Sequence, residues 1–410
     1  VQTCALPIYR ARELLSRAYE GASKRDGWNP RRAGASANTD HAADAATLRT
    51  RARALVQNVP YIAHGLDSLV ANTVGTGIAP RSLADNAKAI DALHLAWSKV
   101  ADADGRRDLA GLIADADRAM EQDGEVLVRL RPRRPSDNLP VPLQLQLLEI
   151  DWLDSYKNGA AGPNTIVNGI EYDVMGRVAQ YWLFDKHPGE QTGFKAANSY
   201  PVSAANIIHL YNPQRPGQGR GFSRLAPVIA RVRDLTLYED AELQRKNLET
   251  RLSVIASGDV ASMSLSESDA ANDVRATGQL GTLASASITQ VAPGMNLTVI
   301  EPKAAPGYVE YVKFNLHLVA AGIGIPYSML TGDTSEGNFS NTRIAVMDFR
   351  RSVEQTQWLT IIPKLCEPIW RAFIDAAVLA GKLPKAQYDC DWSTPKWDYV
   401  NPEQIGRAHV

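Results

Sequence analysis

The chain has 410 residues, of which 45% are hydrophobic and 22% are charged, a composition that excludes global disorder. Its 44 basic and 45 acidic side chains nearly cancel, so it is not a nucleic-acid binder that acts through a large overall positive charge. At about 150 residues per domain, the length predicts two or three domain-sized cores.

The three cysteines, Cys4, Cys366 and Cys390, have neither the number nor the spacing of a disulfide framework or a zinc site. No run approaches the roughly 18 to 20 apolar residues that cross a bilayer, and no signal peptide opens the chain. We therefore expect a protein that is made and used in a cytoplasm, without contact with a membrane.

The two ends of the chain share an unusual coding relationship. Residues 3–8 can be encoded by a DNA sequence whose reverse complement, read from its second base, encodes residues 405–410. That DNA resembles the adapters ligated in short-read sequencing, so we interpret residues 1–8 and 405–410 as sequencing artefacts on a truncated reading frame. Resequencing the source DNA tests this, because the same codons inside a continuing reading frame would contradict it.

The N-terminal part is predicted to be an exposed arm followed by helix. A short amphipathic helix at 9–19 precedes a stretch at 21–43 that is rich in Gly, Ala, Ser, Asn and Arg and has no periodicity. From Ala45 apolar residues recur at helical spacing as far as Gly75 and Gly77. These glycines lack the Lys-Ser/Thr of a P-loop and follow no strand, so an ordinary helix end is favoured over a phosphate site.

A mainly β module is predicted over about 123–211, after two helices at 90–101 and 109–121. An Asp-Gly pair opens the module, and period-two alternation follows. The predicted strands lie at 126–130, 143–150 and 207–211, with a hairpin across 168–184 that turns at 175–177.

A basic, glycine-rich stretch at 215–221 follows the module. It has the composition of a backbone nest for phosphate, but a tight ordered turn between a sheet and a helix is favoured. Ser223 is the predicted N-cap of a helix that reaches about Leu252. This helix carries a heavily charged face, which suits either solvent or identical subunits packed side by side in a ring.

The next interval, from Ser257 to Ser287, is rich in Ser, Ala and Asp and gives no clear assignment, whereas 288–291 and 297–300 have the pattern of short strands. A helical stripe then ends at a Gly-Ile-Gly-Ile-Pro sequence, residues 322–326. The stripe consists of Tyr308, Val312, Leu316 and Val319.

Residues 330–341 are polar and glycine-bearing, with nothing to bury, and on pattern alone they predict a mobile surface loop. A long helix follows to about Leu383, with Asn341 or Thr342 as its N-cap. Pro363 and Pro368 should kink it, because each removes a backbone donor and clashes with the preceding turn.

Three aromatic residues near the end of the chain, Trp392, Trp397 and Tyr399, lie beside prolines and close to one basic residue, Lys396. Such rings can stack on bases, but with so little positive charge nearby they more often seal the edge of a core.

No catalytic, metal or cofactor site is predicted. The six histidines outside 405–410 are scattered without metal-site spacing, and H-E-x-x-H, G-x-S-x-G and P-loop motifs are absent from the sequence. Glu149, Asp151 and Asp154 follow a predicted strand and imitate the carboxylate cluster of a nuclease, but a solvated strand end is favoured.

Three closely spaced motifs carry a family resemblance: Gly-Ile-Pro-Tyr at 324–327, Leu-Thr-Gly-Asp at 330–333 and Asn-Phe-Ser-Asn-Thr-Arg at 338–343. Their sequence resembles the signature of the lambda-type family of tailed-phage portal proteins. Further segments agree in the family's order and extend the resemblance over about 11–402. They lie at 51–58, 74–80, 123–125, 169–173, 176–177, 208–210, 215–221, 293–297 and 392–402.

The resemblance implies an α+β, portal-type fold with a helical wing, an inserted β module, two stem helices flanking a small clip, and a long kinked helix. The implied division, in chain order, is an N-terminal arm at 9–44, the wing at 45–222, the first stem helix at 223–252, the clip at 253–305, the second stem helix at 306–324, the tunnel loop region at 325–341, and the long kinked helix with the start of the crown at 342–404.

The resemblance also implies a structural role and no enzymatic one. About twelve copies would form a ring at one capsid vertex, and double-stranded DNA would pass through the ring without sequence specificity during packaging and ejection. The implied partners are the terminase large subunit, capsid and scaffold proteins and a head-tail completion protein. The expected location is the virion, after assembly in the host cytoplasm, with no cofactor.

Six residues are implied to line the channel: Thr331, Asp333, Glu336, Asn338, Phe339 and Arg343. Neighbouring glycines would let the loop move, the two carboxylates would repel phosphates, and Phe339 would give each loop a bulky tip. Arg343 is the nearest group able to meet a phosphate.

The alternative from another class is a metal-dependent nuclease or hydrolase of the packaging machinery. Particle size separates the two hypotheses, because a ring of about twelve 44.7 kDa chains would exceed roughly half a megadalton, whereas an enzyme is expected to be a monomer or dimer.

Overall fold

The computed structural model describes residues 34–190, 198–250, 254–257, 296–299, 307–335 and 339–397. The suspected artefacts, the helix predicted at 9–19, the strand predicted at 288–291 and Tyr399 lie outside these residues. The described α-helices are α1 (Ala37–Asn58), α2 (Pro60–Thr73), α3 (Ala87–Ser98), α4 (Leu109–Asp123), α5 (Ile229–Thr250), α6 (Tyr308–Ile323), α7 (Tyr327–Thr331), α8 (Phe339–Thr356) and α9 (Glu367–Leu379). No described helix is long and apolar enough to cross a bilayer.

The described strands are β1 (Ala79–Ser82), β2 (Glu125–Pro132), β3 (Leu143–Glu149), β4 (Gly159–Ala161), β5 (Asn164–Val167), β6 (Ile170–Tyr172), β7 (Val178–Phe184), β8 (Ser199–Ser203), β9 (Ile207–Tyr211), β10 (Val254–Ser257), β11 (Asn296–Val299) and β12 (Cys390–Ser393). They pair antiparallel in four sheets, with orders β3-β2-β9, β4-β5-β6-β7-β8, β1-β12 and β10-β11. The predicted β module is confirmed, including its hairpin from Ile170 to Phe184.

Strand β2 lies between two cores, because successive side chains of a strand point to opposite faces. Val126 and Val128 belong to a first core built with α3, α4, α9 and the residues between α8 and α9. Leu127 points the other way, into a smaller core that it shares with Ile170 and Leu183 of the five-stranded sheet. The three-stranded sheet therefore joins the five-stranded sheet to the helices.

A further core joins α2, α5, α6 and α8 through apolar residues at helical spacing. Val232 of α5 and Val319 of α6 are fully buried in it. This core brings the two helices that flank the low-periodicity interval against the helices of the N-terminal half.

Helix α1 begins at Ala37, so the predicted exposed arm is wrong over 37–43. The Ser36 side chain accepts a hydrogen bond from the Thr39 backbone N–H, which caps the helix. Ala37, His41 and Ala45 repeat every four residues and are buried. Small and polar residues on the buried face hid the helical pattern, which was sought among large apolar residues.

Helix α5 begins at Ile229, six residues after its predicted N-cap. The Ser223 hydroxyl does accept the Leu225 backbone N–H at 3.1 Å, as a cap would. The Arg224 N–H, however, bonds to the Glu121 carbonyl, and Pro227 has no N–H to donate. The stretch at 224–228 therefore forms turns instead of helix.

The predicted long helix is interrupted where the first proline falls. Residues Gln357–Cys366 are π-helical and contain Pro363, and the Glu367 N–H bonds to the Ile362 carbonyl five residues back. Pro368 is the second residue of α9, which continues directly from the π-helical segment with helical φ and ψ at Cys366 and Glu367. The helix also starts earlier than predicted, at Phe339 instead of Asn341 or Thr342.

Candidate functional site

The connection between α6 and α8, residues 324–338, carries the sequence motifs singled out above. Gly324 ends α6 with a φ of +84°, a conformation that favours glycine. The chain then turns into α7, where Leu330 is 0% exposed. The prediction that 330–341 has nothing to bury is therefore wrong at its first residue.

Leu330 is held against Gly65 of α2. A Cβ at Gly65 would lie 2.9 Å from the Cδ1 atoms of both Ile325 and Leu330, so the glycine allows α7 to approach α2 closely. Leu330 and Ile325 both belong to the core shared with α5, α6 and α8. The first half of the connection, as far as Leu330, is thus fixed to the body of the protein.

Past Gly332 the connection becomes polar and forms its own turn. The Asp333 N–H donates to the Thr331 hydroxyl at 3.2 Å, and the Ser335 N–H donates to Asp333 Oδ1 at 2.9 Å. Hydrogen bonds from the Ser335 hydroxyl and N–H lower the pKa of Asp333, and the Lys313 charge lowers it further. Asp333 therefore carries a negative charge at neutral pH.

The six predicted channel residues are distributed along this connection. Thr331 and Asp333 meet in the turn just described, and the Thr331 hydroxyl donates to the Tyr327 carbonyl at 3.0 Å. Phe339 is the first residue of α8, and Arg343 lies one turn into that helix, half-buried. Glu336 and Asn338 lie outside the described residues. The assignment of all six to a channel stays a prediction.

Arg224 fixes the start of the connection to α4. Its Nε donates to the Ile323 carbonyl at 2.5 Å, and its Nη1 lies 3.2 Å from Glu121 Oε1. Burial raises the pKa of Glu121, against the effect of Arg224. One turn earlier in α4, Asp117 is fully buried, and neither carboxylate oxygen has a hydrogen-bond partner among the described residues. Burial, and then the Glu121 charge, raise the pKa of Asp117 well above its usual value.

A buried charge cluster around Glu125 was missed by the sequence analysis. Arg220 donates from Nη2 to Glu125 Oε1 at 2.7 Å and from Nε to Oε2 at 2.8 Å. His209 Nε2 lies 2.9 Å from Oε2, and His41 Nε2 lies 3.3 Å from Oε1. Burial alone would raise the pKa of Glu125, but the Arg220 charge and these hydrogen bonds hold it well below its usual value.

This cluster explains the basic, glycine-rich stretch at 215–221. The Gln218 side chain accepts the backbone N–H groups of Gln214 and Arg215 at 2.9 and 3.0 Å. Those amides are therefore unavailable to a phosphate, and the prediction of a tight ordered turn is confirmed. The turn delivers Arg220 to Glu125 and, at 2.7 Å, to the carbonyl of Asn168. In the sequence, the sole sign of this role of Arg220 is its position within a glycine-rich turn, because the residues that it contacts are distant along the chain.

The suspected carboxylate cluster is neutralised by arginines. Asp151 pairs with Arg49 at 2.9 Å and with Arg53 at 2.7 Å, and these charges lower the pKa of Asp151 although burial alone would raise it. Arg53 also lies 3.3 Å from Glu149. The strand end is therefore ion-paired, which corrects the prediction that it is simply solvated.

Among the described residues, Glu149, Asp151 and His187 have ligand atoms within 4.8 Å of one another, the spacing of a possible metal site. His187 Nδ1 accepts the Gly189 N–H at 3.1 Å, so in the neutral ring the proton is on Nε2. That nitrogen faces Glu149 Oε2 at 3.4 Å and has no lone pair for a cation. With Arg53 beside it as well, the arrangement does not fit a metal ion.

Several helices expose large apolar side chains. On α6, Phe314 is 61% exposed, and on the π-helical segment Trp358 is 50% exposed. The exposed apolar residues of α6, α8 and the π-helical segment are Val309, Tyr311, Phe314, Leu318, Ile344, Met347, Trp358 and Leu359. On α6, Tyr311, Phe314 and Leu318 recur at three- and four-residue spacing and so share one face, which is typical of a site of protein association.

Comparison of the sequence with known proteins gives matches to phage portal proteins. The family model described as "Phage portal protein, lambda family" matches residues 22–357. The portal protein of Escherichia phage N15 is 23% identical over 360 residues, which cover 77% of this chain and 66% of that protein. Portal protein B of Escherichia phage lambda is 22% identical over 195 residues, 43% of this chain and 37% of that protein. The chain thus spans less than two thirds of the length of these relatives.

A solved structure has a similar fold. A chain in the virion of a native gene transfer agent particle matches with a TM-score of 0.50 at 15% identity, over 89% of this chain and 87% of that chain. At this level of identity the likeness concerns the fold alone.

Proposed function

Because this chain belongs to the lambda family of phage portal proteins and has an α+β, portal-type fold, we propose that identical copies assemble into a ring of about twelve at one capsid vertex. Double-stranded DNA passes through this ring during packaging and ejection. The observation that carries the proposal is the exposed apolar surface of α6, α8 and the π-helical segment, which identical neighbours would cover.

In this proposal α5 and α6 are the two stem helices. Tyr238 of α5 lies 4.9 Å from Tyr311 of α6, centroid to centroid, and Arg231 donates to the Asn315 side chain at 2.7 Å. Strands β10 and β11 pair directly after α5 and before α6, as expected for the base of the clip between two stem helices. The remaining assignments, wing, tunnel loop and long kinked helix, follow in the same order along the chain.

The connection between α6 and α8 is proposed as the tunnel loop, with Thr331, Asp333, Glu336, Asn338, Phe339 and Arg343 toward the channel. Its anchored start and polar continuation support this, because a loop that touches moving DNA needs a fixed base. The charge of Asp333 disfavours tight contact with phosphates. A channel that held DNA through many phosphate contacts would obstruct its passage.

The further partners are proposed on the same premise. They are the terminase large subunit, capsid and scaffold proteins and a head-tail completion protein, with the virion as the final location. The family is a structural one, and we propose no enzymatic activity and no cofactor for this chain.

The experiment that tests the tunnel loop shortens residues 334–338 in the full-length protein. Rings should still form, because the anchor at Ile325 and Leu330 is untouched, whereas filled capsids should retain less DNA. Sedimentation measures ring formation, and the DNA content of purified capsids measures retention. A control variant replaces the same five residues with five glycines and serines, which keeps the length of the loop.

Two outcomes would place the loop elsewhere. One is the loss of rings on shortening, which would mean that the segment supports assembly. The other is normal filling and retention in capsids built from the shortened protein.

A further inference from the structure

The hairpin of β2 and β3 has one apolar face and one basic face. Val128 and Leu130 of β2 pack into the first core, so the alternate residues Arg129 and Arg131 point away from that core. Across the ladder, Arg129 pairs with Gln146 and Arg131 with Gln144. The face they share is built from arginine and glutamine side chains that are all partly accessible to solvent.

The basic face continues past the end of β2. The Arg133 N–H bonds to the Pro142 carbonyl and extends the ladder, and the Arg133 side chain donates to Gln144 at 2.8 Å. Arg134 follows and is exposed. Four arginines thus lie within six residues, on a chain whose net charge is only -1.

Among the described residues these arginines have no carboxylate partner. Arg129 donates to the Tyr200 hydroxyl at 3.2 Å. The nearby Asp137 carboxylate accepts the backbone N–H of Arg134, not its guanidinium. In the adjoining loop, Asp102 is buried and accepts three backbone N–H groups. The positive charge of the face is therefore not neutralised locally.

We propose that this Arg/Gln face, defined as Arg129, Arg131, Arg133, Arg134 and Gln146, binds the phosphate backbone of double-stranded DNA, at a site separate from the tunnel loop. Gln144 holds Arg133 in place, because its amide donates to the carbonyls of Val100 and Asp102 and its oxygen accepts from Arg133. The encounter with DNA rests on the proposed portal function. Arginine, glutamine and tyrosine side chains are the groups that contact DNA phosphates, and they carry no base specificity when they do so.

The alternative ligand is an acidic protein segment. Protein interfaces have an apolar centre that buries aromatic or aliphatic anchors. The Arg/Gln face offers arginine and glutamine on both strands, and the exposed ring beside it, Tyr200, accepts a hydrogen bond from Arg129 through its hydroxyl. A polyanion with a regular charge repeat needs no such anchor, so the face favours a nucleic-acid backbone.

The test measures binding of a fluorescent 20-base-pair duplex to the full-length protein by anisotropy, as a function of salt. Three phosphate contacts give a slope of log K against log salt of about -2.7, so affinity should fall roughly twentyfold from 50 to 150 mM salt. The variant Arg129→Gln/Arg131→Gln/Arg134→Gln should lose most of this binding and of this slope. The charge-preserving variant with three lysines should retain both in large part.

A matched control removes three exposed arginines elsewhere, Arg51→Gln/Arg81→Gln/Arg177→Gln, and should bind as the unaltered protein does. Equal loss in the control and the face variant would overturn the proposal, since overall charge would then explain it. Unchanged duplex binding by the face variant would also overturn the proposal. So would a face variant that no longer binds poly-glutamate, the probe for an acidic protein segment, but still binds the duplex. Sedimentation of the same samples separates this site from the portal function, because rings that never form count against the latter only.

Discussion

Glu125 and Arg220 form an ion pair whose side chains are 0% and 2% exposed. Both charges are removed from water, so the pair is favourable only while each partner remains. Glu125 lies on β2, Arg220 on the glycine-rich turn, His209 on β9 and His41 on α1. At the scale of single residues, this cluster connects α1 and the glycine-rich turn to strands β2 and β9 of the β module.

We expect Arg220→Met to lower the free energy of unfolding by about 3 to 5 kcal/mol, because it leaves the Glu125 charge buried and unpaired. The double variant Glu125→Leu/Arg220→Met should lose less than the two single changes added together. Urea unfolding followed by circular dichroism measures all three. Arg371→Met is the control, since its pair with Glu367 is 76% exposed on the Arg side and should cost at most about 1 kcal/mol.

Asp117 gives a prediction about pH. Burial and the Glu121 charge raise the pKa of Asp117 in the folded chain, so above about pH 3.9 the unfolded chain releases a proton that the folded chain keeps. This group therefore lowers stability as pH rises, by at most about 1.4 kcal/mol per pH unit. Asp117→Asn should be more stable relative to the unaltered protein at pH 7 than at pH 4, as measured by urea unfolding at both values.

Two neighbouring groups enter the same comparison. The Glu121 carboxyl, whose pKa is also raised by burial, and the Arg224 guanidinium face Asp117 and stay in the variant, so the difference reports the titration of Asp117 together with its effect on Glu121. His209 acts with the opposite sign: burial lowers the pKa of His209, and its contribution to stability is lost as pH falls below about 6.5. A difference between variant and unaltered protein that is the same at pH 4 and pH 7 would contradict the assignment to Asp117.

At the scale of elements, the close contact of α7 with α2 predicts a compensation. Gly65→Ala should cost about 1 to 3 kcal/mol, because its Cβ would lie 2.9 Å from two methyl groups that must move. Leu330→Ala should cost about 2 to 5 kcal/mol by leaving a cavity. In the Leu330→Ala background the added methyl has room, so Gly65→Ala should cost less there than alone. A double-mutant cycle measured by urea unfolding that shows strict additivity would refute the contact.

The elements that periodicity predicted best are those with large apolar residues on one face. The stripe from Tyr308 to Val319 is part of α6, and the alternation around Ile170 and Tyr181 is confirmed as β6 and β7. The start of α1 was missed because alanines and a histidine form its buried face. The start of α5 was misplaced because the Arg224 N–H has a partner on another element, which no local pattern encodes.

The position of the candidate site in the chain could be predicted from the sequence, but the contacts of its residues could not. Motifs located the connection between α6 and α8, and glycines marked its turns. The burial of Leu330 depends on Gly65, which is remote in sequence, and the Glu125 cluster gathers four such remote segments. Sequence spacing carries no information about these pairings, since they are made by the packing of separate elements.

At the scale of the whole molecule, a single chain leaves large apolar side chains exposed to solvent on helices that also carry charged residues. Charged and apolar groups alternate on α8, where Asp348 and Arg351 lie beside Ile344 and Met347 around one shallow cleft. Such mixed surfaces suit an assembly in which one patch of each chain contacts a different patch of the next identical chain. The rotation from one chain to the next then closes the assembly into a ring. Assembly, not further folding, is the expected way to cover them.

Phe314 on α6 gives the test of assembly. Phe314→Glu places a charge on a side chain that is 61% exposed in the single chain, so the fold should be retained, whereas a charge buried between neighbours opposes association. Because every contact around a ring carries the substitution, and a buried aromatic anchor is worth about 2 kcal/mol or more, the concentration needed for assembly should rise at least about thirtyfold. Sedimentation velocity and far-UV circular dichroism of the full-length protein measure assembly and fold separately.

Tyr156→Glu, at an 89% exposed position on the β module, is the control and should assemble normally. Rings that form equally well from both variants would show that α6 faces solvent in the assembly, and a monomeric unaltered protein at micromolar concentration would remove the ring itself.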